Sequence, residues 1–195
     1  MTSCTCSTRP VQTKEIVITM GTDMENCSQL ETQSLLPAER LAITAHMGAL
    51  LTAIGSLLQD LPWEDWMSLV NSEKVAEMVC AAAGDWGQYV QAAVLRLQKK
   101  FPTLKLRGMD LVAHGNIPIA AGLSSSSALV VASAEATVAV NQLAVFPSQF
   151  VDLCGEGEWF VGTRGGSADH AGVKFGQKGK VAIVTFFEFG IEKMV

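Results

Sequence analysis

Apolar positions recur with two different periods along the chain, and the switches between them divide it into elements. Lys14–Met20 (KEIVITM) is rich in β-branched residues and predicts a strand. The Ser/Thr-rich stretch Met1–Gln12 before it has no period, and the polar Gly21–Ser34 after it reads as a loop. Pro37, followed by Ala38, Glu39 and Arg40, marks a helix start with proline in the first turn, and the helix runs to about Gln59. Trp63–Val70 predicts a short helix, and Ser72 opens another segment through Val75. Asp85–Tyr89 leads into Val90–Lys100, where Tyr89, Ala93, Leu95 and Leu97 fall at roughly helical spacing until Pro102 stops the run. Met109–His114 predicts a strand between Gly108 and Gly115, followed by a turn-rich loop, Asn116–Gly122. The alanine-rich Ala128–Asn141 is a helix, and Pro147–Phe160 is another, ended by the glycines between 162 and 166. Val181–Phe189 (VAIVTFFEF) predicts a strand. Long helices beside a few separated strands predict an α+β layer fold.

Two apolar stretches approach the length of a membrane span. Leu41–Leu58 carries His46, Thr44, Thr52, Ser56 and two glycines, with Glu39 and Arg40 just ahead of it. It reads as a buried amphipathic helix. Ile119–Val140 contains four consecutive serines and Glu135, so it does not face lipid either. No membrane partner is expected.

Composition narrows the class. With 49% hydrophobic and only 17% charged residues, the 195-residue chain is too apolar to be disordered and long enough to bury a core. A net charge of −5 argues against nucleic acid, whose phosphates need a concentrated basic face. Lys99–Lys100 and the spaced lysines 174, 178 and 180 are the only small basic clusters. The five cysteines, Cys4, Cys6, Cys27, Cys80 and Cys154, form no metal-ligand spacing, and Cys4 and Cys6 lie in the polar N-terminal stretch. Reduced thiols and a cytoplasmic location are the expectation.

The chemistry concentrates between Gly115 and Ala128 (GNIPIAAGLSSSSA). A strand enters this stretch, glycines permit tight turns, and a helix leaves it. The emerging helix N-terminus offers unpaired N–H groups and the positive end of the helix dipole, which suit phosphate oxygens. Serine hydroxyls there add donors, or a ligand for Mg²⁺. An ordinary helix cap preceded by a flexible serine run accounts for the same residues. Both readings are open on the residues alone. No Walker-type GxxxxGK[ST] pattern is present.

Pro118, three residues, then Gly122, Leu123, Ser124, Ser125 and Ser126, after a strand and before an alanine-rich helix, resembles the phosphate-binding motif of the GHMP kinases. That superfamily groups galactokinase, homoserine kinase, mevalonate kinase and phosphomevalonate kinase. Trp86, Tyr89 and Val90 resemble a galactokinase helix upstream of the motif. Glu158 to Gly162, followed by Gly165, Gly166 and Asp169, resembles a galactokinase segment downstream. The likeness covers roughly 85–189 and is loose over 1–84.

The resemblance implies a two-layer α+β GHMP-kinase-like domain that transfers the γ-phosphate of ATP to a sugar hydroxyl with Mg²⁺ as cofactor. It places Pro118, Gly122, Leu123, Ser124, Ser125, Ser126 and Ser127 on the ATP phosphates, Ser126 and Glu158 on the metal, and Asp169 over the acceptor hydroxyl. Phosphoryl transfer needs these parts: charge neutralisation, backbone donors and a group that orients the incoming oxygen. Glu158 and Asp169 are 11 positions apart. On one straight helix they would be about 16 Å apart, so Gly162, Gly165 and Gly166 must fold Asp169 back. Taken singly, Glu158 reads as a solvated helix residue and Asp169 as a helix cap.

Departures bear on the substrate. His170 stands where galactokinases usually carry Gln, and Ala168 where they carry Met. His170 reads as a structural or substrate-pocket neighbour, and Arg164, His46 and His114 as structural. The acidic 60–65 stretch reads as a surface turn. The opening sugar-binding segment of galactokinases, Gly-Arg-x-Asn-Leu-x-Gly-Glu-His-x-Asp-Tyr, and their C-terminal domain are not in these 195 residues. The chain is therefore expected to be the central part of a longer kinase, inactive alone, with residues 1–35 a poorly matched segment bearing one strand and 36–195 a partial ATP-binding domain. A non-catalytic sugar- or nucleotide-sensing relative and a kinase for another sugar are the alternatives. The oligomeric state is not legible.

Overall fold

In a computed structural model, the chain is described at residues 16–20, 65–107, 109, 111–115, 117, 121–185 and 190–194. The described part is mostly helical, with two small two-stranded sheets. In chain order the elements are strand β1 (Ile16–Met20), helices α1 (Trp66–Val70), α2 (Glu73–Ala81) and α3 (Gly87–Lys100), strand β2 (Leu111–Gly115), and helices α4 (Ser125–Asn141) and α5 (Pro147–Glu158). A 3₁₀ turn (Trp159–Val161), helix α6 (Ala168–Phe175) and strands β3 (Val181–Thr185) and β4 (Gly190–Met194) complete them. β1 pairs with β2 in parallel, Ile16 opposite Leu111, and β3 pairs with β4 antiparallel, Val181 opposite Met194.

Most of the predicted elements lie where the sequence places them. The helix expected from Pro37 to about Gln59, and with it the apolar Leu41–Leu58, falls outside the described residues. The strand expected over Val181–Phe189 runs from Val181 to Thr185, and 186–189 fall outside the described residues. β4 was not foreseen: Gly190–Met194 (GIEKM) lacks the apolar alternation of a strand and is held by pairing with β3. Among the described residues no helix is long and apolar enough to cross a membrane.

Caps set the first helices. Asp65, in the acidic stretch read as a surface turn, caps α1 by accepting from Ser68 N at 2.8 Å and Ser68 Oγ at 2.6 Å. Those two hydrogen bonds, hydroxyl first, hold the Asp65 carboxyl below its usual range. Ser72 caps α2, its Oγ accepting from Val75 N at 3.4 Å.

α3 is buried nearly all round and contributes to each of the three buried clusters among the described residues. Ala93 and Leu97 join Val130, Val131, Ala134, Phe150 and Leu153 from α4 and α5. Ala92 and Leu95 join Trp66, Leu69, Val75 and Phe160. Val90 joins Met109, Leu111, Leu129 and Ala136, beneath β2. α4 packs against α3, α5, α6 and β1. Its alanines and serines permit that close approach on several sides. Gly157 of α5 costs helix propensity, but a Cβ there would stand 3.3 Å from the Ala92 carbonyl oxygen, so its absence lets α5 close on α3. Across the same contact, Arg96 pairs with Glu156, Nε to Oε2 at 2.7 Å, and its guanidinium lies over the Trp66 ring, 5.4 Å from the centroid.

Candidate functional site

The serine turn lies at the N-terminus of α4, a helix anchored along its length in the core. Ser124 precedes the helix with φ 55 and ψ 41, a left-handed conformation that a residue with a Cβ adopts at a cost. Its carbonyl accepts from Ala128 N at 3.0 Å, but its hydroxyl does not cap the helix. The first N–H groups of α4 therefore lack an intrahelical partner, as at any helix start. The Ser124 hydroxyl donates instead to Asp169 Oδ2 at 2.7 Å.

Glu158 is the last residue of α5 and only 5% exposed. It accepts the Ser127 hydroxyl on Oε1 at 3.1 Å, inside the first turn of α4. The 3₁₀ turn then carries the chain to Gly162, whose φ of 90 ends it and would strain any other residue. Arg164 fastens the far side of this turn. It donates to the carbonyls of Trp159 (3.1 Å) and Val70 (3.2 Å) and to Asn71 Oδ1 (2.6 Å). α6 follows and returns Asp169, exposed in its first turn, to the serine turn.

The separation that a straight helix would impose between Glu158 and Asp169 is thus removed by the glycine turn. Of the residues singled out from the sequence, the structure brings Ser124 to Asp169 and Ser127 to Glu158. Ser125 and Ser126 lie between them, half-buried, on the first turn of α4. Gly122, with φ 70, and Leu123, 60% exposed, lead into the turn. Pro118 falls outside the described residues. The serine bonded to Glu158 is Ser127, one position past Ser126. One helical step turns a side chain by about 100°, and a motif does not show which hydroxyl of a run faces a distant carboxylate.

Beneath the site lies His170, read from the sequence as a structural or substrate-pocket neighbour, though not as facing Glu158. His170, beside Asp169 on α6, is 1% exposed, and its Nε2 lies 3.7 Å from Glu158 Oε1. In the last turn of α6, Lys174 pairs with Glu135 of α4 and lies over the Phe150 ring, 4.9 Å from its centroid. Burial pushes the neighbouring Cys154 thiol well up, with the Glu135 charge adding to the effect. Among the described residues no group of three or more His, Cys, Asp or Glu gathers as a metal cluster.

Comparison with known proteins bears on these same residues. Residues 88–177 match the GHMP kinases N terminal domain. The galactokinase of Schizosaccharomyces pombe is 30% identical over 112 residues, covering 52% of this chain and 22% of that protein. The galactokinase of Haemophilus influenzae is 32% identical over 103 residues, covering 51% of this chain and 26% of that protein. That of Candida parapsilosis is 28% identical over 122 residues, 56% of this chain and 24% of the relative. The chain spans about a quarter of the length of these curated relatives. Ser124, Ser127, Glu158 and Asp169 all lie within the stretch, residues 88–177, that matches the GHMP kinases N terminal domain.

Proposed function

We propose that this chain carries the nucleotide-phosphate site and acceptor-side carboxylate of a galactokinase-like kinase, which transfers the γ-phosphoryl group of ATP to a sugar hydroxyl. The observation that carries this reading is the pair of hydrogen bonds tying one serine turn to two carboxylates, Ser124 to Asp169 and Ser127 to Glu158. One carboxylate is buried and one exposed, which suits two different tasks. The two-layer α+β arrangement of the domain and a cytoplasmic location belong to the same reading.

The unpaired N–H groups at the start of α4 and the hydroxyls of Ser125 and Ser126 take the nucleotide phosphates, where the helix dipole favours negative charge. Ser126 and Glu158 are hard oxygen donors of the kind Mg²⁺ prefers, so the donor set fits that ion. When bound, Mg²⁺ supplies neutralisation of the phosphate charge. Asp169 orients the acceptor hydroxyl and takes its proton as the sugar oxygen bonds to the γ-phosphorus. The bond between the γ-phosphorus and the bridging oxygen breaks, and ADP leaves. Until a sugar arrives, the Ser124 hydroxyl holds the Asp169 carboxylate in place. Galactose is the working acceptor.

Two measurements test this. Calorimetry of the 195-residue chain with ATP and Mg²⁺ should show binding that Glu158→Gln weakens. The product of the complete gene, incubated with ATP, Mg²⁺ and a panel of sugars, should form a sugar phosphate, galactose 1-phosphate being the product expected. Nucleotide binding without phosphorylation of any sugar would replace transfer by nucleotide sensing. Absence of nucleotide binding by the complete product would remove both readings.

A further inference from the structure

We propose that His170 positions Glu158, holding carboxylate oxygen Oε1 through an N–H donor at Nε2 from beneath the serine turn; this rests on the metal role assigned to Glu158 above. His170 is 1% exposed, and among the described residues neither Nδ1 nor Nε2 has a hydrogen-bond partner. A buried imidazole always carries at least one N–H, and leaving it unpaired is costly, so an orphan of this kind calls for an explanation. Nε2 faces Glu158 Oε1 at 3.7 Å, outside hydrogen-bond range by roughly half an ångström. The same oxygen already accepts from Ser127 at 3.1 Å. A small shift of α6 toward α5 would complete a second donor on Oε1.

The arrangement has a mechanical sense. α6 touches the site at two consecutive residues: Asp169 accepts from Ser124, and His170 faces the carboxylate that accepts from Ser127. A Glu158 pinned on Oε1 by two donors keeps one orientation and presents Oε2 as the oxygen for a cation. Groups that orient a metal-binding side chain in this way typically change metal affinity about 10–100-fold when lost. An imidazole that merely fills space in the core would leave cation affinity alone when replaced by an apolar residue of similar volume.

The experiment uses the 195-residue chain with His170→Gln, His170→Leu and Glu158→Gln. Long-range ¹⁵N–¹H NMR reads which ring nitrogen of His170 is protonated, its signal identified by loss in His170→Gln. A protonated Nε2 whose ¹⁵N shift moves in Glu158→Gln is the expected result, and a bare Nε2 would overturn the proposal. Mn²⁺ is then titrated by EPR in the presence of ATP. His170→Leu should weaken Mn²⁺ binding about tenfold or more, while His170→Gln, which keeps an N–H donor at similar reach, should stay near the unsubstituted chain. Equal weakening by both, or by neither, would overturn it. If His170→Leu fails to fold by circular dichroism, the Gln variant and the NMR signal still decide. Should Glu158→Gln leave Mn²⁺ binding unchanged, the metal role of Glu158 fails, and the ring-nitrogen signal alone decides whether His170 holds Oε1.

Discussion

At the scale of single residues, Ser124 does two things at once: it accepts a strained left-handed backbone and spends its hydroxyl on Asp169. These separate experimentally. Ser124→Ala and Ser124→Gly both lose the hydroxyl, but only glycine relieves the backbone, so the Gly variant should be the more stable by about 1 kcal/mol in urea unfolding. Asp169→Asn, in the product of the complete gene, keeps the size of the side chain and loses its charge. Transfer should fall about 10²–10⁴-fold with ATP affinity nearly unchanged; lost ATP affinity with an intact turnover rate would reverse the assignment. The two described cysteines should also separate. Cys80 is exposed, whereas Cys154 is buried with its thiol pushed up. Peptide mapping after brief alkylation at neutral pH should find Cys80 modified and Cys154 untouched. The serine run drew notice by its place between a strand and a helix, whereas Glu158 and Asp169 were singled out only through the resemblance, because each alone reads as an ordinary helix residue or cap. The facing of His170 toward Glu158 was not legible, because it depends on how α6 packs after the glycine turn.

At the scale of elements, α3 and α4 were read nearly to their ends, since their burial follows a helical period or an alanine-rich run. α5 was read despite two interior glycines, whose reason only packing reveals. Gly155 lies against the start of α6: a Cβ there would be 3.0 Å from Ser167 Cβ and 3.2 Å from Ser167 Cα. The second of these is backbone and cannot rotate away. Gly155→Ala should therefore gain helix propensity yet destabilise the fold, by about 1–3 kcal/mol in denaturant unfolding. It should also displace Asp169, two residues beyond Ser167, which a shifted amide resonance of Ser124 would report. Unchanged stability would mean that α6 yields freely and does not fix the site. The short β4 escaped the sequence because a strand held by one partner needs no apolar alternation of its own.

For the molecule as a whole, the parallel pairing of β1 with β2 was beyond sequence reasoning. β1 was legible from its β-branched residues and β2 as an apolar run between glycines, but nothing local to Ile16 names Leu111 as its neighbour. β1 lies against α4 as well as β2, so the earliest described strand is bound to elements made much later. Translation turns that connectivity into a matter of timing. At ~5–20 residues per second, β1 leaves the ribosome on the order of 5–20 s before its partner exists. Through that interval an apolar strand has both edges open, a template for pairing with other nascent chains. Yield of this protein should therefore respond to translation speed and to chaperones that shield nascent strands, independently of how stable the finished domain is.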